Sequence, residues 1–263
     1  MVSGILQLPA ALVGSVSVAL VIVLAVLGLL AARRVFSHDR LKPTETATTQ
    51  VLAMSGLLYA VLVAFVVVIV WQQFNDAQKR TEEEAVAISD LLHDSEGLPA
   101  AGRPAVQQTL VDYAKDVVDG EFPRMRRGES IVEESSHLTE VWRDVLTIEP
   151  SSESEKTFYG EVVTKVNDLA SARTARIAAA DYHIPGELWV MLLGGGAIIL
   201  IFTYLFPTPD AVLHSVLIGL AGALLAFVLY LIFAMEHPFV GTIAVSDHPY
   251  VNVLNAWAKL KPH

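Results

Sequence analysis

Four stretches of this chain are so long and so apolar that only lipid suits them. Leu8–Ala32, Val51–Trp71, Leu188–Phe206 and Val212–Met235 contain no Asp, Glu, Lys or Arg. A helix needs about 20 apolar residues to cross the hydrocarbon core of a bilayer. A surface helix of that length would carry charge on its outer face. The sequence therefore predicts an all-α integral membrane protein with four transmembrane helices.

Charge divides the chain further. Between Gln72 and Gly186 lie 22 acidic and 12 basic residues, which account for the whole net charge of -10. This predicts an acidic helical bundle set between the second and third spans. Four segments follow: 1–71, two spans with a short basic loop; 72–186, the bundle; 187–236, two more spans; and 237–263, a tail with a short amphipathic helix.

The first span is not a secretion signal, because no bases precede it and Arg33 and Arg34 follow it. With Arg40 and Lys42 those two load the first loop, so the positive-inside rule places that loop in the cytoplasm. Both termini and the bundle are then expected outside. Lys79, Arg80, Arg173 and Arg176, which flank the bundle's attachments, pull the other way, although the first two lie beside Glu82, Glu83 and Glu84.

Small residues predict close helix packing, within the subunit or between subunits. Ala11, Ser15 and Ala19 recur every four residues on span one. Ser215, Gly219 and Ala223 do so on span four, with Gly222 and Ala226 beside them. Gly194, Gly195 and Gly196 in span three mark either close packing or a kink.

Within the bundle, span two is expected to run straight out of the membrane, with Phe74, Gln78, Thr81, Ala85, Ile88 and Leu92 at 3–4 spacing. Further helices are expected over Ala105–Val118, Ile131–Leu146 and Lys156–Tyr182, with Gly120 to Pro123 ending the first of these. Glu82, Glu83 and Glu84 read as a solvated face. The tail helix has Tyr250, Val253, Leu254 and Trp257 on one side and is expected at the membrane interface or against the bundle.

No enzyme signature is present: no nucleotide-binding glycine fingerprint, HExxH or GxSxG occurs. The chain has no Cys, and its His are scattered. His237 and His248, near Glu236 and Asp247, are the one pairing that could hold a metal, and interfacial or helix-end roles suit them better. No cofactor is expected, and an acidic chain does not suit nucleic acid. His214, one turn into span four, reads as interfacial.

Several motifs occur together: Gly56-Leu-Leu-Tyr59 through Trp71-Gln-Gln-Phe-Asn-Asp-Ala77, Glu84-Ala85, Tyr113-Ala-Lys-Asp-Val-Val118, Glu121-Phe-Pro123, Arg173-Thr-Ala-Arg-Ile177, Ile184-Pro185, Leu188-Trp189 and Pro238-Phe-Val-Gly241. In this order the chain resembles the bacterial bestrophin-like membrane proteins over about residues 50 to 255. Phe122 stands where that family often has Trp. The resemblance implies the four-span layout, a bacterial plasma membrane and, by analogy with bestrophins, a homo-oligomeric channel for inorganic ions.

If subunits ring an axis, span two is the candidate lining. Gln72, Gln73, Asn75 and Asp76 would then form a polar ring at the outer mouth, or simply begin a solvated helix. Asp76 and the acidic bundle favour cations, whereas the resemblance favours anions. Arg173 and Arg176 are expected to pair with acids on the first bundle helix, Glu83 or Glu84. Pro185, Pro238, Phe239 and Gly241 read as structural turn residues. The competing reading is an extracytoplasmic sensor or a membrane scaffold that acts through a partner.

Overall fold

The computed structural model describes residues 10–36, 43, 45–132, 135–241 and 243–260. Arg40 and Lys42 of the basic loop lie outside the described residues. Every regular element among those described is helical: α1 Ala10–Val35, α2 Glu45–Asp94, α3 Arg103–Asp116, α4 Phe122–Arg126, α5 Ser136–Leu146, α6 Glu153–Ala180, α7 Gly186–Tyr204, α8 Ala211–Met235 and α9 His248–Leu260. Four of them, α1, α2, α7 and α8, are long and apolar enough to cross a membrane. Helix α2 has 50 residues, about 75 Å of unbroken helix. The chain divides into two units, residues 1–72 with 183–236, and 73–182 with 237–263.

In the first unit α1 packs along α8. The α1 face in contact is Gly14, Val18, Ala25 and Leu29, and Ser15 and Ala19 point outward. Ser15 and Ala19 therefore take no part in the α1–α8 contact within this subunit. The observed stripe, Gly14 to Leu29, lies one residue, or about 100°, around the helix from Ser15 and Ala19. Glycines seat aromatic rings here. The Tyr230 ring lies over Gly14 and the Tyr204 hydroxyl over Gly28. Gly222 faces Ala25 and Val21.

The three consecutive glycines also serve packing. Tyr59 of α2 lays its ring on Gly195, where a Cβ would come within 2.6 Å of it, and donates a hydrogen bond to Leu192 O at 3.0 Å. Gly196 meets Leu225 and the Tyr59 hydroxyl, while Gly194 faces open space. Helix α7 continues unbroken through all three.

Polar groups near the span ends are tied down. Arg33 donates to Thr208 O at 2.6 Å and to Nδ1 of His214 at 3.2 Å. The other ring nitrogen, Nε2, donates to Thr203 O at 3.1 Å, so the partners fix a neutral ring with its proton on Nε2. His214 is buried within this unit, one turn into α8. At the far end of α8, buried Glu236 accepts from the Ile184 amide and from Trp189 Nε1, both at 3.1 Å. Pro185 occupies the N-cap of α7, where its missing amide proton costs nothing.

The second unit is a bundle of the outer part of α2 with α3, α4, α5, α6 and α9. Ser135 caps α5 through the Leu138 amide. Ser152 and Glu155 form a capping box at the start of α6. Three backbone amides or hydroxyls of Ser151 and Ser152 hold the Glu155 carboxyl at a pKa of about 2. The core contains Ile88, Leu110, Val145, Val162 and Leu169, all fully buried.

The chain does not break at Gly120 as expected. It widens into a π-helical turn, Val117–Glu121, and runs on into α4. Pro123 falls in the first turn of α4, where no helical partner for its nitrogen is needed. The tail joins this core. Phe239, Val245 and Tyr250 are buried in it, and Val253, Leu254 and Trp257 pack against it. A turn with Gly241 at φ 86° and a bond from the Val245 amide to Pro238 O at 2.7 Å reverses the chain before α9.

Candidate functional site

Two features of the molecule combine chemistry with unusual placement. The first is a charge cluster in the core of the bundle unit. Arg176, fully buried on α6, donates from Nε to Glu84 Oε2 at 2.7 Å and from Nη2 to both Glu84 and Glu121. Its Nη1 meets the Met125 sulfur at 3.0 Å. Arg173, one turn earlier, donates to Glu121 Oε1 from Nε at 3.0 Å and Nη2 at 2.7 Å. Tyr113 donates its hydroxyl to Glu84 Oε1 at 2.6 Å. The Arg176 guanidinium stands 5.5 Å from the centroid of Phe122 and 6.0 Å from that of Tyr250. Two carboxylates and two guanidinium groups balance in charge.

Backbone geometry places each member. The π-helical turn inserts one extra residue per turn, so Glu121 swings inward where an α-helix would carry it elsewhere. Glu84 sits beside Thr81, Ala85 and Ile88 on the inward face of α2. Burial opposes the charge on Glu121, but Arg176 and Arg173 outweigh it and lower its pKa. Burial also opposes the Arg176 charge, and Glu84, Tyr250 and Glu121 outweigh that and raise its pKa well above the ordinary value. Burial, reinforced by Glu84, raises the Tyr113 phenol and keeps it a donor.

The expected pairing is thus distributed differently. Glu84 meets Arg176. Glu83, one residue on the other side of the helix, stays half-exposed and pairs with Arg80 at 3.1 Å and Lys79 at 3.6 Å. Arg173 pairs with Glu121, which sequence reasoning left out because Gly120 and Pro123 read as a helix end. The run Glu82–Glu84 is therefore not one solvated face; its third member belongs to the core. Phe239 stacks edge-on against Phe122 at 5.9 Å, so the tail's turn motif is bound to the same cluster. Asp247 pairs with Arg126 at 3.3 Å. Among the described residues no three His, Cys, Asp or Glu converge on a point that could hold a metal.

The second feature is the outward face of α2. Met54, Leu58, Val61, Phe65 and Val68 are exposed large apolar side chains at alternating spacings of four and three. Gln72 and Asn75 continue the same stripe with polar groups, and Asp76 lies beside it. Gln73 does not belong to this face: it is half-buried, with its Oε1 enclosed by protein. Asp76 Oδ1 is 3.5 Å from Arg80 Nε.

Four helical spans that leave large apolar side chains uncovered define a multi-pass membrane protein. The family model for the bestrophin-like domain matches residues 19–250, so the chain belongs to the bestrophin-like family. Its fold is that of bacterial bestrophin homologues. A homologue from Klebsiella pneumoniae with a Leu-to-Thr mutation is 14% identical, with a TM-score of 0.70 over 94% of this chain and 99% of that one. A second structure of a Klebsiella pneumoniae homologue, with an Ile-to-Thr mutation, is 16% identical, with a TM-score of 0.67 over 91% and 98%. A membrane protein with a Pro-to-Ala mutation is 13% identical, with a TM-score of 0.64 over 94% and 99%. No protein of curated function matches the sequence. Six of the residues in the motifs that carry the family resemblance, Glu84, Tyr113, Glu121, Phe122, Arg173 and Arg176, belong to the buried cluster, and Phe239 packs on it.

Proposed function

We propose that this chain is the subunit of a homo-oligomeric ion channel in the bacterial plasma membrane, with α2 lining the pore. The observation that carries this reading is the α2 stripe. A 3–4 repeat of exposed apolar side chains is the pattern by which helices associate side by side. Around a symmetry axis, Val61, Phe65 and Val68 would form an apolar constriction able to gate by dewetting, and Gln72 and Asn75 a polar mouth beyond it. The span of α2, Val51–Trp71, has no Asp, Glu, Lys, Arg or His, as a passive pore allows and a proton-coupled carrier rarely does. Membership in a family named for oligomeric channels supports the same conclusion. The end of α1 that carries Arg33 and Arg34 is assigned to the cytoplasmic side, and the bundle and both termini to the outside.

Native mass spectrometry of the detergent-purified protein tests the reading. A single closed ring of three or more subunits is the expected result. A monomer or simple dimer would remove the axis a pore needs and favour a sensor or scaffold.

A further inference from the structure

At the end of the membrane unit that carries Arg33, three helices meet on one side chain. His214 of α8 is buried there. Its Nε2 donates to Thr203 O of α7 at 3.1 Å, and its Nδ1 accepts from Nη2 of Arg33 on α1 at 3.2 Å. The same Nη2 reaches Thr208 O at 2.6 Å and Asp210 O at 3.5 Å. We propose that His214 is a proton sensor for the channel: taking up a proton unfastens the end of α1 that leads into α2. The regulatory part rests on the reading that α2 lines the pore.

The node accommodates one protonation state. A neutral imidazole has one donor and one acceptor, and each here has a partner of the opposite kind; a protonated ring has two donors. The Nε2 bond to Thr203 O survives protonation. The new N–H on Nδ1, however, points at a guanidinium that can only donate, and two positive charges stand face to face. The three contacts of Arg33 at this node run through Nη2, so a guanidinium pushed off His214 loosens its hold on Thr208 and Asp210 as well. The surroundings do not compensate. Arg34 is exposed beside the node and adds a further positive charge. Asp210, one turn before His214, turns its carboxylate to the amides of Val212 and Leu213 at 2.8 and 3.1 Å. The Tyr204 hydroxyl of α7 lies over Gly28 instead. Among the described residues no ion pair brings a carboxylate to Arg33 or His214. Farther along, α1 stays packed on α8 where Ala25 meets Gly222, so release is confined to its end. That end, Val35, connects to the start of α2 at Glu45. Histidine is the side chain whose ordinary pKa, about 6.5, falls within the cellular range.

The test places two spin labels on the Cys-free background, at Val35→Cys on α1 and Val212→Cys on α8, both exposed positions. Labelled subunits are diluted among unlabelled ones, and double electron–electron resonance reads the distance at about pH 7.5 and about pH 5.5, either side of the ordinary histidine value. With His214 present the distribution is expected to be narrow at the higher pH. At the lower it should be broader and longer by about 5 Å, the rise of one helical turn. Loss of one charge-assisted hydrogen bond shifts the balance between fastened and released forms roughly tenfold. H214Q, neutral at both pH values, should show no change. R33M should be broad at both, and H93Q, an exposed histidine on the bundle part of α2, should respond as the parent does. Currents in planar bilayers are recorded with acid on one side at a time. Wild type should respond to acid on the side that carries Arg33, and H214Q should not. Native mass spectrometry checks that each variant assembles as wild type does. A parent distance that ignores pH, or an equal change in H214Q, would overturn the sensor. A distance that changes while the current does not would overturn its regulatory role and leave the channel standing. A wild type that assembles and passes no current at either pH would overturn the channel reading and the regulatory role with it, and the distances would still show whether His214 fastens α1.

Discussion

Replacing Arg176 by Met removes a side chain that bridges both buried carboxylates. Glu84 and Glu121 would be left with Arg173 alone, and the cluster would carry an uncompensated negative charge in the core. Breaking a buried pair from one side costs about 3–5 kcal/mol. For a unit of this size, that corresponds to a fall of roughly 10 °C in Tm. Thermal unfolding of the detergent-solubilised protein, followed by tryptophan emission, reads the shift. The double variant Glu84→Met with Arg176→Met tests the reasoning more sharply. It removes both partners of one pair, leaves Glu121 with Arg173 and restores neutrality, while Tyr113 loses its acceptor. It should be more stable than Arg176→Met alone, by on the order of 2 kcal/mol, and the double-mutant cycle isolates the coupling. A single variant within 2 °C of wild type would refute the argument that charge balance holds this core, as would a double variant less stable than the single (the 2 °C limit being about 1 kcal/mol).

Three other outcomes are expected. The pKa of Glu121 is lower in the folded protein than in the unfolded chain, so its contribution to stability is complete above about pH 4.3 and is lost as pH falls towards the folded value; acid titration of the Tm should show a shallower decline for Glu121→Gln than for wild type over that range. Gly195→Ala should destabilise the membrane unit by about 1–3 kcal/mol, because the new methyl meets the Tyr59 ring, whereas Gly194→Ala meets nothing and should be neutral or stabilising; heat-induced aggregation in detergent separates the two. On this Cys-free background, Ser151→Cys should react with an impermeant maleimide from outside intact cells and Ser37→Cys should not; the reverse pattern would invert the assigned orientation.

The membrane spans were legible in the sequence because their signal is additive. Some twenty consecutive apolar residues settle the matter without any knowledge of neighbours. The extension of α2 out of the bilayer was legible for a similar reason, as a local 3–4 periodicity carried through Thr81, Ala85 and Ile88. The family resemblance was visible as motifs, but what those motifs do was not. Glu82, Glu83 and Glu84 are chemically the same residue in a row, and only the packing of α6 against α2 buries the third and leaves the others in water. Gly120 and Pro123 are breakers by local rules, yet the chain stays helical there, because a π-helical turn lets Glu121 reach two arginines that lie more than fifty residues on. The tail's amphipathic face suited a bilayer surface or a protein core equally well. Phe239 and Tyr250 decided for the core by closing over Phe122. Hydropathy thus determined which segments are in lipid, and local propensity determined the helices apart from the turn at Gly120. Long-range contacts decided which charges are buried, because the free energy of a buried carboxylate depends on the partner brought to it from elsewhere in the chain.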